Sequence, residues 1–225
     1  MRVAALYDIH GNLPALEAVL HEVPAETAVV VGGDIVAGPF PSETLTLLRS
    51  LGDRILWIRG NADRELAPGE ESGNAPPEVL EWVRSRLNGE EIAFLHSLPP
   101  TLSLEIDGLG RVLFCHATPR NDMDVFTAVT PEERIAPHFA EVDANVVVCG
   151  HTHMQFDRTV AGVRVVNAGS VGWPYEDTDD AYWALLGPEV EHKRTAYERD
   201  LGDYIEGWPD ISRREVTEFF ESLAV

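Results

Sequence analysis

The chain predicts an α/β fold in which a parallel first sheet is covered by a second, mixed or antiparallel sheet. Three observations carry this. The first sixty residues alternate short apolar runs with amphipathic stretches, the pattern of βαβ units. The second half is rich in hairpin signals instead. At 225 residues the chain suits one domain spanning 1–225 and is long enough to bury a large sheet core.

Arg2–Tyr7 reads as a buried strand ending at a Gly11-Asn12 turn. Pro14–Val23 follows as a helix, with Leu16, Val19, Leu20 and Val23 on one face and Pro near its first turn. Thr27–Val31 is a second strand, Ser42–Leu51 a helix with Ser42 as its cap, and Ile55–Ile58 a third strand. Ala67–Pro77 is rich in Pro, Gly and Glu and reads as an exposed loop. The helices expected at Pro76–Leu87 and Glu90–Leu98 would make residues 67–98 a cap-like insertion over the sheet. Thr101–Ile106 and Arg111–Cys115 flank Asp107-Gly108-Leu109-Gly110, a hairpin signal. Pro131–Ala140 reads as helix and Asn145–Cys149 as a buried strand. Phe156–Val160 and Val163–Val166 pair across Ala161-Gly162, Tyr182–Leu186 pairs with Val190–Arg194, and Ser212–Leu223 is a last amphipathic helix.

The composition excludes several function classes. Asp and Glu number 38 against 17 Lys and Arg, a formal net charge of −21. A non-specific nucleic-acid binder needs a cationic footprint, and an anionic membrane surface would repel this chain. No apolar stretch reaches the roughly 20 residues that span a bilayer. The first residues enter a strand directly, without the apolar core of a signal peptide. Cys115 and Cys149 read as small buried thiols on neighbouring strands, which fits a reducing cytoplasm. The sequence leaves the oligomeric state open.

Five short clusters carry the chemistry: Asp8-Ile9-His10, Gly33-Asp34, Gly60-Asn61, Cys115-His116 and Gly150-His151-Thr152-His153. Each lies just past an apolar run, where side-by-side strands bring their turns to one sheet edge. Taken singly they are weak. Asp in a strand-to-helix loop is often only a cap, Gly-Asp and Gly-Asn are ordinary turn dipeptides, and a lone His can be a satisfied structural residue. Together they offer four imidazoles, two carboxylates and an amide, the ligand mix of hard or borderline divalent cations. That points to a binuclear metal centre and hydrolysis. His151 and His153 would face opposite ways in an extended segment, whereas a turn would bring both to one centre.

In this order the clusters resemble those of the calcineurin-like metallophosphoesterase superfamily, and most of all its YfcE-like phosphodiesterase branch, related to diadenosine tetraphosphatases. Asn167-Ala168-Gly169-Ser170 is similar to that branch's Asn-Pro-Gly-Ser segment, with Ala168 replacing Pro. The resemblance runs from Met1 to about Thr195 and implies a four-layer αββα sandwich of two mixed sheets flanked by helices. It implies that Asp8, His10 and His153 hold one ion, that Asn61, His116 and His151 hold another, and that Asp34 bridges them. The two ions, of Mn, Fe, Zn or Ni, would share a hydroxide that attacks phosphorus, so no side chain is assigned as catalytic beyond it. Asp63 and the carbonyl of Asn167 are expected to orient the imidazoles. The superfamily's Gly-Asn-His-Asp has Ala62 at its His position, the His thought to protonate the leaving group.

The expected substrate is a small phosphorylated molecule. Asn12, Arg64 and Arg120 are the candidates for gripping its phosphate, and Trp173 and Tyr175 could stack on a base or aryl group. The alternatives are a dinucleoside polyphosphate hydrolase or a protein phosphatase. A different class is a degenerate binding scaffold, like the retromer subunit with this fold, which would have eroded ligands.

Overall fold

A computed structural model describes residues 1–70, 77–202 and 212–225. In chain order the elements are β1 (Val3–Leu6), α1 (Leu13–Glu22), β2 (Ala28–Val31), α2 (Pro41–Ser50), β3 (Ile55–Trp57), α3 (Asn61–Glu65), α4 (Pro77–Arg86) and α5 (Gly89–Ser97). There follow β4 (Thr101–Ile106), β5 (Gly110–Cys115), α6 (Glu132–Phe139), β6 (Val146–Cys149), β7 (Phe156–Val160), β8 (Val163–Asn167), β9 (Ala181–Leu186), β10 (Val190–Thr195) and α7 (Arg213–Leu223). Pro76 and most of the expected 67–77 loop lie outside the described residues.

Two five-stranded sheets result, ordered β10-β9-β1-β2-β3 and β4-β5-β6-β8-β7. In the first, β1, β2 and β3 are parallel; in the second, β5, β6 and β8 are parallel. Antiparallel strands close the outer parts of both, so each sheet is mixed. The β9–β10 hairpin, although it comes from the hairpin-rich second half of the chain, joins the first sheet beside β1. The reason is in β9, Ala181-Tyr182-Trp183-Ala184-Leu185-Leu186, which is buried along its whole length. Trp183 and Leu185 face the helices while Ala184 and Leu186 face the other sheet, so β9 fits only an interior position.

Alternation along the strands builds the four layers. Val3, Ala5 and Tyr7 of the first sheet meet Val112, Phe114, Val146, Val148 and Val166 of the second across an apolar middle layer. Ala4 and Leu6 point the other way, onto Leu16 and Val19 of α1 and Leu45 and Leu48 of α2. Val147, Cys149 and Val165 bury the far face of the second sheet against Ile135 and Phe139 of α6. Leu80, Val83 and Leu95, from α4 and α5, share the α1/α2 layer.

The caps explain the helix starts. Asn12 accepts the Ala15 N–H at 3.1 Å, with Pro14 in the first turn of α1. Ser42 does not cap α2, contrary to expectation: Pro41 occupies the first turn, the helix begins one residue earlier, and Phe40 at the cap position makes no side-chain bond. Ser212 caps α7, accepting the Glu215 N–H while Glu215 reaches back to the Ser212 N–H.

Candidate metal centre

All seven candidate ligands follow the carboxyl ends of parallel strands. Asp8 and His10 follow β1, Asp34 follows β2, Asn61 follows β3, His116 follows β5, and His151 and His153 follow β6. Three clusters therefore come from one sheet and two from the other, meeting along the edge where both sheets end. Five of these ligands hold left-handed backbone: Asp8 (φ 51°), His10 (48°), Asp34 (51°), His151 (66°) and His153 (57°). Such angles are unfavourable for residues with a Cβ and persist where surrounding bonds over-determine them. Here Asp8 N–H donates to Gly33 O, His10 N–H to Asp34 O and Gly11 N–H to Ile35 O, tying the two loops together. Glycine is required beside them, because a Cβ on Gly60 would lie 2.2 Å from Asp34 Oδ1.

The side chains gather in two groups, Asp8 with His10 and His153, and Asp34 with His116 and His151, the ligand atoms of each lying within 4.8 Å of one another. The turn at residues 150–153 thus sends His151 and His153 to different groups. Asn61 joins the second, its Oδ1 3.1 Å from His116 Nε2. Asp34 Oδ2 lies 3.5 Å from His116 Nε2 and 3.9 Å from His10 Nε2, between the groups.

The donor set fits divalent cations. Nδ1 of His10, His116 and His153 lies 3.1, 3.0 and 2.6 Å from the carbonyls of Ala37, Gly32 and Trp173. A carbonyl only accepts, so each Nδ1 donates to it and each ring is turned with Nε2 inward. His10 Nε2 then faces His153 Nε2 at 3.2 Å, and Asp8 Oδ1, 3.4 Å from His153 Nε2, is buried without a hydrogen-bond partner. Two ring nitrogens and a carboxylate oxygen converge on one point, a donor set that a divalent cation would satisfy.

Charge coupling says the same. Burial works against ionising Asp8 and Asp34, yet the imidazoles facing them, His153 and His116 respectively, hold both below the usual carboxylate range. Against its own burial, His116 is pushed up to about 10 by Asp34 and Asp8. Burial lowers His10, with His153 adding to it, and burial followed by His116 takes His151 down to about 4.

Several expected roles change. Asp63 orients no imidazole. Its carboxylate accepts the N–H groups of Asp34, Ile35 and Gly60 at 2.8, 2.9 and 3.0 Å, clamping the two loops instead. The carbonyl of Asn167 accepts from His192, outside the cluster; the Asn167 amide instead holds Gly150 O and Thr152 Oγ1 beside His151. Asn12, the expected phosphate contact, is fully buried, and its amide bonds Gly172 O and Tyr197 Oη besides capping α1. Arg64 is gripped bidentately by Asp122 at 2.8 and 3.1 Å, tying α3 to the loop after β5. Arg120 is exposed. Tyr175 stacks on His153 with ring centroids 5.1 Å apart and leans edge-on to Phe220 of α7, so one face of its ring is taken. Sequence reasoning missed the orienting carbonyls, since a backbone oxygen leaves no residue-type signal. It also missed Ser170, whose hydroxyl donates to Asp8 O, and Glu65, which faces the Asn61 amide.

Residues 1–187 match the model of the calcineurin-like phosphoesterase superfamily domain. A relative from Methanocaldococcus jannaschii, itself uncharacterized, is 30% identical over 198 residues, covering 83% of this chain and 74% of its own. The symmetrical bis(5'-nucleosyl)-tetraphosphatase of Escherichia coli is 32% identical over 124 residues, 52% of this chain, which spans only 44% of that enzyme. Among solved structures, a metallophosphoesterase from Sphaerobacter thermophilus superposes with a TM-score of 0.67 at 28% identity, covering 88% of this chain and 90% of that one. Among the described residues, no helix is long and apolar enough to cross a membrane.

Proposed function

This chain belongs to the calcineurin-like phosphoesterase superfamily, and on that premise we propose that it hydrolyses phosphodiester or phosphomonoester bonds of a small molecule using two divalent metal ions. Asp8, His10 and His153 would hold one ion and Asn61, His116 and His151 the other, with Asp34 placed between the two groups. The supporting observation is the convergence of His10 Nε2, His153 Nε2 and the unpartnered Asp8 Oδ1. Bound there, the ions would supply a shared hydroxide near neutral pH and offset charge on the phosphoryl oxygens. The ligand set suits Mn, Fe, Zn or Ni alike.

The chain's own part is to hold this set rigid. Carbonyls fix the three imidazoles. The Ala62 N–H donates to Asp34 Oδ1 at 2.8 Å, and Asp63 clamps the backbone on both sides of it. Ala62 brings no acid to the leaving group, so the departing oxygen must be a good leaving group by itself. Arg120, on the loop after His116, is the proposed contact for phosphate oxygens.

A second reading, hydrolysis of dinucleoside polyphosphates, draws support from the tetraphosphatase relative. The stacking of Tyr175 on His153 weakens it, because that face is closed to a base. A metal-supplemented screen of phosphomonoesters, phosphodiesters and dinucleoside tetraphosphate, with Asp34→Asn as control, separates the two. A purified chain holding less than one metal and inert to bis-aryl phosphate with added Mn²⁺ would leave the binding-scaffold reading instead.

A further inference from the structure

We propose that Tyr7 is a positioning residue that sets the separation of the Gly32–Asp34 and Gly150–His151 loops, which flank Asp8. It thereby sets the spacing of the Asp34, His116 and His151 group, the second of the two ligand groups. The inference rests on the two-metal reading above.

Tyr7 follows β1, is fully buried, and points into the layer between the sheets. The backbone of two segments packs against it. A Cβ on Gly32 would meet the ring carbons at 2.2–2.3 Å, and one on Gly150 would meet Cδ1 at 2.6 Å. Gly32 follows β2 in the first sheet and Gly150 follows β6 in the second, so the ring is held by both halves of the sandwich. The hydroxyl completes the link, donating across the layer to Val148 O at 2.9 Å.

These two segments are those that aim the ligands. Gly32 O holds His116 Nδ1 at 3.0 Å. Gly150 donates its N–H to His116 O at 2.9 Å, precedes His151, and leaves room for Asp8, since a Cβ there would lie 2.4 Å from Asp8 Oδ2. Tyr7 is also bonded directly to Asp8, and its carbonyl accepts the Val171 N–H at 3.0 Å in the loop that holds Asp8 O. An ordinary core side chain touches other side chains, which adjust by changing rotamer. Tyr7 touches backbone at both glycines, which has no rotamer to change, so ring thickness is transmitted directly to loop position. A thinner or shorter side chain would let the Gly32 and Gly150 segments close in and carry the His116 anchor with them.

The test is Mn²⁺ binding to the full chain, read by metal stoichiometry and by the electron paramagnetic resonance spectrum of a spin-coupled pair. The unaltered chain should bind two Mn²⁺ and give the coupled spectrum; failure at that point removes the two-metal reading itself. Tyr7→Phe, which keeps the ring, should retain the coupled spectrum. Tyr7→Leu should bind the second Mn²⁺ at least tenfold more weakly and give the spectrum of isolated ions. Leu186→Ala removes volume from the same layer beside Val3, at the far end of β1, and should keep the coupled spectrum despite lower stability. Gly32→Ala presses on the ring, at a backbone angle open to any residue, and serves should Tyr7→Leu not fold. A folded Tyr7→Leu or Gly32→Ala with unchanged second-site affinity and coupling would overturn the proposal. So would loss of coupling in Leu186→Ala.

Discussion

The Nε2 atoms of His10 and His153, 143 residues apart in sequence, face each other at 3.2 Å. Each ring is held from behind, His10 by the carbonyl of Ala37 and His153 by that of Trp173. Both rings therefore aim Nε2 at one point, beside the unpartnered Asp8 Oδ1. A divalent cation there would be met by all three atoms.

Metal should therefore stabilise the fold strongly. A ligand present at a hundred times its dissociation constant adds about 2.7 kcal/mol. For a domain of this size that raises the melting temperature by about 5–10 °C. Differential scanning fluorimetry with and without Mn²⁺ reads this directly, and Asp8→Asn should shrink the shift. A melting curve indifferent to Mn²⁺, Zn²⁺ and Ni²⁺ would remove the metal reading.

Asp34 is the more sensitive position for activity. Its Oδ1 is fixed by the Ala62 N–H, and its Oδ2 stands 3.5 Å from His116 and 3.9 Å from His10. Asp34→Asn keeps the shape and removes the charge that both groups share. Hydrolysis of bis-aryl phosphate should fall by about 10²-fold or more, with metal content dropping below two per chain. Activity surviving this substitution would rule out Asp34 as the bridging ligand.

The ligand clusters were legible because a parallel strand and its following turn are both written in local sequence: an apolar run, then Gly with Asp, Asn or His. The two-sheet division was legible for the same reason. Side-chain partnerships over long sequence separations were not. Asn12, Arg64 and Asp63 each carry the right chemistry for the roles first assigned to them. Nothing local reveals that Tyr197, Asp122 or the Ile35 N–H will claim them. The β9–β10 hairpin shows the same limit, since its alternation predicts two strands but not which sheet edge receives them.

Leaving-group dependence should follow from Ala62. A positioned general acid contributes roughly 10²–10⁴-fold, and most where the departing alkoxide is basic. The chain should favour aryl over alkyl phosphate esters, with a steep dependence of rate on leaving-group pKa. Asp63 is committed to three backbone N–H groups, so it is poorly placed to pair with a new imidazole. Ala62→His should therefore recover alkyl-ester hydrolysis only in part. Equal rates on aryl and alkyl esters in the unaltered chain would contradict this account.

His151 should show the conflict between stability and function most directly. Its φ of 66° disfavours any residue with a Cβ, and burial and the neighbouring His116 depress its protonation to a pKa of about 4. His151→Gly relieves the backbone term, about 1–2 kcal/mol, while glycine's extra freedom in the unfolded chain returns about 0.5–1 kcal/mol. The net gain in the metal-free protein is on the order of 1 kcal/mol, a rise of about 2–4 °C in melting temperature. With saturating Mn²⁺ the order should reverse, because the unaltered chain gains a ligand's worth of metal binding that the variant lacks. The two melting temperatures should cross as Mn²⁺ is titrated. A variant less stable than its parent at every metal concentration, zero included, would mean that the left-handed turn is held without strain.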